Sequence, residues 1–102
     1  DSWALHEVAG VEGVGVKSKN KPAQTKQERE HTAMVAALPC VVCGTYDGSE
    51  VHEPVQGLWY IAIPLCFACH RGPEGWHGTR LRWKLRKMDE LKAINETWRQ
   101  LA

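Results

Sequence analysis

Four cysteines in two identical pairs are the residues of this chain best suited to bind a metal ion. Each pair is Cys-x2-Cys, 22 residues separate the pairs, and every cysteine of the 102-residue chain belongs to the pattern: Cys40, Cys43, Cys66 and Cys69. Two residues between thiolates let both sulfurs reach one ion at about 2.3 Å, and a second pair completes a tetrahedron. The spacing predicts a structural Zn²⁺ site, with iron, disulfides or free buried thiols as the alternatives. Since the cysteines would fill all four coordination positions of the ion, any catalytic chemistry must come from other residues.

Three histidines near these pairs could supply that chemistry. His52 lies between the pairs, His70 directly follows Cys69, and His77 lies seven residues further on in a glycine-rich segment. An ion shared by the two pairs would bring the segments of His52 and His70 together. Glu53 adjoins His52, and a carboxylate can act as a base or bind a hard cation. The alternative is a hydrogen-bonded structural role, which we expect for the two remaining histidines, His6 and His31.

The elements that must position these residues predict a small α+β domain. Thr25 and Glu28 form a capping box, so a leading helix should begin there and run to about Leu38. Residues 50–53 predict a short strand, and the aromatic and β-branched residues 58–63 predict its hairpin partner, ended by the proline that follows. The second cysteine pair should then enter a helical turn.

Two further helices are predicted near the C-terminus, capped by Thr79 and Asp89. Apolar residues recur at helical spacing and should face the core: Leu81, Leu85 and Met88 in the first helix, and Leu91, Ile94, Trp98 and Leu101 in the second. Trp83 is expected in the core, with a face toward nucleic acid as the alternative. Residues 1–24, with three glycines and three lysines, predict a flexible N-terminal arm, and residues 25–102 the zinc-binding domain.

Charge is distributed unevenly along the chain. Residues 1–63 carry 5 basic and 8 acidic side chains, a net −3, and residues 64–102 carry 8 and 4, a net +4, giving the formal +1. The C-terminal part is therefore the better candidate for contact with a polyanion. The candidate phosphate contacts are Arg71, Arg80, Arg82 and Lys84, although a solvated helix face would carry similar charges.

The sequence contains no apolar run long enough to span a membrane and no secretory signal pattern. We therefore expect no membrane partner and a cytoplasmic location. In a reducing cytosol, paired cysteines bind metal ions more often than they form disulfides.

These motifs resemble those of the ββα-metal (HNH) endonucleases, and more narrowly the phage recombination-enhancement (Ref-like), RecA-dependent nucleases. The resemblance rests on Leu-Pro-Cys-Val-Val-Cys-Gly, Val-His-Glu-Pro, Ile-Pro-Leu-Cys-Phe-Ala-Cys-His-Arg-Gly and Trp-His-Gly, and it covers roughly residues 32–88. It implies a zinc-stapled ββα-metal domain in which one Mg²⁺ or Mn²⁺ binds the scissile phosphate. His52 and His70 would be ligands of that ion, and His77 would be a ligand or a phosphate contact.

One position departs from the family pattern. In direct register His52 would be the metal ligand, and Glu53 would stand where the family has the residue that deprotonates the attacking water. Shifted by one residue, His52 would be that base and Val51 would fall at the ligand position, so the division of labour between His52 and Glu53 is open. The expected function is a DNA endonuclease, encoded by a phage or prophage, acting in the bacterial host cell and linked to recombination. The RecA filament is implied as a partner by the resemblance only. The alternative is a non-catalytic zinc-stabilised module that binds nucleic acid or a protein, in which Glu53 marks a lost site.

Overall fold

The computed structural model describes residues 23–46 and 48–102. The predicted N-terminal arm, up to residue 22, lies outside the described residues. Within them the chain forms a two-stranded antiparallel sheet and four α-helices, which confirms the predicted α+β class. None of the described helices is long and apolar enough to cross a membrane.

Helix α1 (Lys26–Ala36) begins at the predicted capping box. The Thr25 hydroxyl accepts the Glu28 amide at 3.1 Å, and the Glu28 carboxylate accepts the Thr25 amide at 2.8 Å. The helix ends two residues earlier than predicted. It buries His31 and Val35 against the rest of the fold.

The sheet consists of β1 (Glu50–His52) and β2 (Ile63–Leu65), with His52 opposite Ile63. The prediction of β1 is confirmed. The prediction of its partner was wrong, because Trp59–Ile61 forms a 3-10 turn and the strand begins only at Ile63. An apolar, aromatic run favours burial in either conformation, so the pattern alone did not distinguish them.

Pro64 lies inside β2 and does not end it. A proline has no amide hydrogen, so it fits only where the strand needs no donor. In this register Pro64 lies opposite Val51, and its carbonyl accepts the Val41 amide at 2.9 Å. The Pro64 carbonyl therefore links β2 to the segment that carries the first cysteine pair.

Three helices follow the sheet: α2 (Phe67–His70), α3 (Leu81–Leu85) and α4 (Glu90–Leu101). Asp89 caps α4 as predicted, since its carboxylate accepts the Lys92 amide at 2.8 Å. The helix buries Ala93 and Thr97, whereas Leu91 is 79% exposed, so the predicted apolar face was partly wrong. Small side chains on the buried face let α4 approach the sheet closely.

The core lies between the sheet and the cysteine pairs. Its residues are Cys40, Val41, Val42, Ile63, Leu65, Cys66, Cys69, Trp83 and Ala93. Trp83 is 1% exposed, which confirms its predicted core position, and its indole nitrogen donates to the Cys69 carbonyl at 2.8 Å. The core therefore packs directly on the backbone that carries the second cysteine pair.

Candidate functional site

The four cysteines come together in one cluster. Their sulfur atoms all lie within 4.8 Å of one another, none is in a disulfide, and three of the four residues are buried. The sulfurs of Cys43 and Cys66 are 3.7 Å apart. In a tetrahedron with metal–sulfur distances of about 2.3 Å, neighbouring sulfurs are about 3.8 Å apart. The arrangement thus fits a four-coordinate Zn²⁺ ion.

Backbone contacts hold the first pair in a tight turn. The Gly44 amide donates to the Cys40 carbonyl at 2.8 Å, and the Cys40 amide donates to the Thr45 carbonyl at 2.9 Å. Gly44 has φ +79°, a conformation that glycine adopts at little cost. Gly44 therefore lets the chain turn tightly, so that the Cys43 sulfur can lie close to Cys66.

The thiols differ in acidity because their surroundings differ. Burial raises the pKa of the thiols of Cys66 and Cys69. Burial would also raise the pKa of Cys43, but hydrogen bonds from Thr45 and the neighbouring thiols lower it to about 6. A metal ion would bind all four as thiolates, so protons must leave when the ion enters.

Arg82 contacts this cluster. Its Nε donates to the Cys69 sulfur at 3.5 Å, across 13 residues of sequence. Four thiolates around Zn²⁺ carry a net charge of −2, and a guanidinium beside them offsets part of it. The structure therefore places this candidate phosphate contact against the metal ligands.

The second cluster consists of His52, His70 and His77. Each ring offers one nitrogen, and these three nitrogens all lie within 4.8 Å of one another. The three histidines could therefore hold a metal ion together. The ring centroids are 5.0 Å apart for His52 and His70, 4.9 Å for His70 and His77, and 5.5 Å for His52 and His77. They come from β1, from α2 and from the loop after α2, and His52 is the most buried.

Each of the two less exposed histidines is bound by a carboxylate. Glu90 Oε2 lies 2.8 Å from His52 Nε2, and Glu50 Oε1 lies 2.9 Å from His70 Nδ1. Arg71 donates two hydrogen bonds to Glu50, at 3.0 and 2.6 Å. This guanidinium, with a further contribution from His70, holds the pKa of Glu50 at about 2 against the effect of burial.

The surroundings of His70 favour its neutral form. Burial lowers its pKa, the bond to Glu50 opposes that shift, and the nearby rings of His52 and His77 lower the pKa further. A neutral imidazole has one nitrogen lone pair available, which is the form that binds metal ions.

Glu53 does not join the histidine cluster. Its Oε1 accepts the Gly57 amide at 3.0 Å, in the turn that follows β1. Of the adjacent residues His52 and Glu53, the structure brings His52 to the other two histidines.

A glycine-rich loop carries His77 into the cluster. A Cβ on Gly75 would lie 2.6 Å from the Ala68 carbonyl oxygen, and one on Gly78 would lie 2.2 Å from the Pro73 carbonyl oxygen. The His77 amide donates to the His70 carbonyl at 3.0 Å. Close packing of the loop on α2 therefore fixes His77 beside His70.

The remaining basic candidates lie on the surface after this loop. The Arg80 guanidinium stacks over the Trp76 ring at 3.6 Å, and Lys84 is exposed on α3. Arg71 is exposed but bound to Glu50. Of the four candidate phosphate contacts, Lys84 and Arg80 therefore present the most accessible charges.

Sequence reasoning missed Glu50 and Glu90. Glu50 precedes His52 by two residues, so the alternation of a strand could have placed both on one face. Glu90 lies 38 residues from His52, and no local pattern indicates their contact.

No family model matches this chain, and comparisons with curated proteins and with solved structures found no significant match.

Proposed function

We propose that the protein is a metal-dependent endonuclease of the ββα-metal type that hydrolyses DNA phosphodiester bonds. The observation that carries this proposal is the convergence of His52, His70 and His77 beside the four-cysteine cluster. The order of elements, β1, β2 and α2, agrees with the proposal. Two separate clusters allow a division of roles, with the cysteines holding a structural Zn²⁺ and the histidines a second divalent ion.

The donor set of the second cluster bears on the identity of its ion. Three imidazole nitrogens suit transition-metal ions, whereas Mg²⁺ prefers oxygen ligands in an octahedral arrangement. Of the two ions that the sequence resemblance implies, Mn²⁺ therefore fits the cluster better. When bound, the ion would neutralise charge on the phosphate and stabilise the leaving oxygen.

The chain's own residues would bind and orient the substrate. The scissile phosphate would enter from the side of His77, the exposed member of the cluster. Arg80 and Lys84 follow on the same stretch of chain and could bind neighbouring phosphates. Of the adjacent pair, His52 is the residue that reaches the cluster, where it would be a ligand of the ion, while the Glu53 carboxylate binds the Gly57 amide.

The position of Glu53 favours a second candidate function, a zinc-stabilised module that binds nucleic acid without cutting it. In that case the histidine cluster would lack a base for the attacking water.

The assay uses zinc-loaded protein with plasmid or single-stranded DNA, in Mn²⁺, in Mg²⁺ and in chelator. We expect cleavage in Mn²⁺, and His70→Ala and His77→Ala should slow it at least about 100-fold, the scale of losing a catalytic group. Gln56→Ala, a change on an exposed loop, is the control and should cut normally. Tight DNA binding without cleavage in any metal would overturn the nuclease and favour the module.

A further inference from the structure

We propose that Glu90 is a positioning residue for the histidine cluster. It holds His52 through Nε2, which leaves Nδ1 as the nitrogen of His52 available to a metal ion. This inference rests on the proposed function in one respect, the binding of a second metal ion by the three histidines.

The contact itself is short and partly buried. Glu90 Oε2 lies 2.8 Å from His52 Nε2, and the side chains of His52 and Glu90 are 7% and 26% exposed. A hydrogen bond between a carboxylate and an imidazole N–H is charge-assisted and roughly twice as strong as a neutral one. The bond therefore competes well with water for the His52 ring.

Helix α4 fixes the Glu90 side chain. The Asp89 cap sets the first turn, and Ala93, one turn after Asp89, is fully buried. A negative charge is favourable in the first turn of a helix, because the exposed amides there carry partial positive charge. Glu90 is thus placed by the packing of a 12-residue helix and not by a loop.

The consequence for His52 follows from the chemistry of imidazole. A neutral ring has one N–H donor and one lone pair, and a carboxylate can only accept. Binding at Nε2 therefore places the proton on Nε2 and the lone pair on Nδ1. Carboxylates that bind the second nitrogen of a metal-ligating histidine fix its tautomer and raise its basicity.

The histidine cluster is bound in this way on two sides, but the two carboxylates differ. Glu50 binds His70 at Nδ1 and is shared with Arg71, whose guanidinium offsets its charge. Glu90 comes from a separate element, 38 residues from His52 in sequence. Glu90 is therefore the residue by which helix α4 contacts and orients His52.

The test compares Glu90→Ala and Glu90→Gln with wild type, using protein loaded with Zn²⁺ at the cysteines. Glu96→Gln is the matched control, since it changes the same residue type in the same helix and its partners are Arg99 and Gln100. ¹⁵N NMR reports which nitrogen of His52 is protonated. Titration with Co²⁺ reports the affinity of the histidine cluster, without DNA.

We expect wild-type His52 to be protonated on Nε2 and Glu90→Ala to show a mixture of tautomers. Co²⁺ affinity should fall about 10- to 100-fold in Glu90→Ala, the usual loss when such a partner is removed. Glu90→Gln keeps an oxygen acceptor and should fall less, and Glu96→Gln should match wild type.

Unchanged tautomer and unchanged Co²⁺ affinity in Glu90→Ala would overturn the role of Glu90. A wild-type protein that takes up no second ion would overturn the proposed metal site. The tautomer measurement, which needs no second ion, would then decide separately whether Glu90 orients His52.

Discussion

At the scale of single residues, His31 shows how burial controls a titratable group outside the site. It is 5% exposed and packs between Tyr60 and Trp98, with ring centroids 5.1 and 4.9 Å away. Within residues 23–46 and 48–102, its Nε2 is buried without a hydrogen-bond partner. His31 is therefore a buried packing residue, although the hydrogen bonding predicted for it is missing at Nε2, and burial lowers its pKa.

His31→Phe should therefore be more stable than wild type, by about 1 kcal/mol at pH 7, because a buried polar atom without a partner is removed. In wild type the folded state holds His31 neutral, so the unfolded chain takes up the proton first as pH falls through about 6.5. Wild-type stability should thus decrease below that pH, and the advantage of His31→Phe should grow.

Urea unfolding at pH 7.5 and pH 5.5 measures this difference. Both proteins keep the cysteines and His70, so their shared pH dependence cancels in the comparison. A His31→Phe advantage that shrinks toward pH 5.5 would contradict a depressed pKa for His31.

At the scale of elements, the loop between α2 and α3 decides whether His77 reaches the cluster. Gly78→Ala would place a Cβ 2.2 Å from the Pro73 carbonyl oxygen, so the backbone must move. We expect a loss of about 2–3 kcal/mol, at the upper end for overpacking. Because His77 is the adjacent residue, Co²⁺ affinity of the histidine cluster should also fall.

Gly48→Ala is the control for this change. Gly48 has φ +99°, and an added Cβ would meet no atom within 4 Å, so the cost of the change is backbone strain of about 1 kcal/mol. Thermal unfolding and Co²⁺ titration compare the two variants. Equal stability losses, with metal affinity intact in both, would show that the loop tolerates the methyl group.

At the scale of the whole molecule, the cysteine cluster joins the two halves of the described fold. Cys40 and Cys43 follow α1, and Cys66 and Cys69 lie at the start of α2, beside His70. Small domains bury limited apolar area and often depend on a metal for stability. Removal of Zn²⁺ should therefore unfold the chain and separate the histidines.

We expect a strong chelator to abolish the cooperative thermal transition, and Zn²⁺ but not Mg²⁺ to restore it. Cys66→Ser should behave like the chelated protein, because a site with three thiolates binds Zn²⁺ less tightly. Since burial raises the pKa of Cys66 and Cys69, binding must release protons, and Zn²⁺ affinity should rise with pH.

Circular dichroism, with elemental analysis of the protein as purified, checks this prediction. Ser49→Ala, which removes one hydrogen bond to the Leu38 carbonyl near the first pair, is a suitable control. A chelated protein with an unchanged transition would show that the fold does not depend on the ion.

The sequence alone determined the features that depend on local spacing. Each Cys-x2-Cys pair predicts its own turn, and a capping box is complete within four residues, so the cysteine cluster and the start of α1 were both correct. The sequence also predicted that an ion shared by the two pairs would bring His52 and His70 together, and their ring centroids are 5.0 Å apart. Buried and exposed faces of short elements were less predictable, as the exposure of Leu91 shows.

Tertiary structure alone decided which groups surround the histidines. Glu90 reaches His52 across 38 residues, and Glu53, although adjacent to His52, binds the Gly57 amide instead. Local propensity carries no information about contacts between distant segments, because these depend on how α4 packs against the sheet. The residues that could bind a metal are therefore readable from the sequence, whereas Glu90, which contacts His52 from a distant helix, is not.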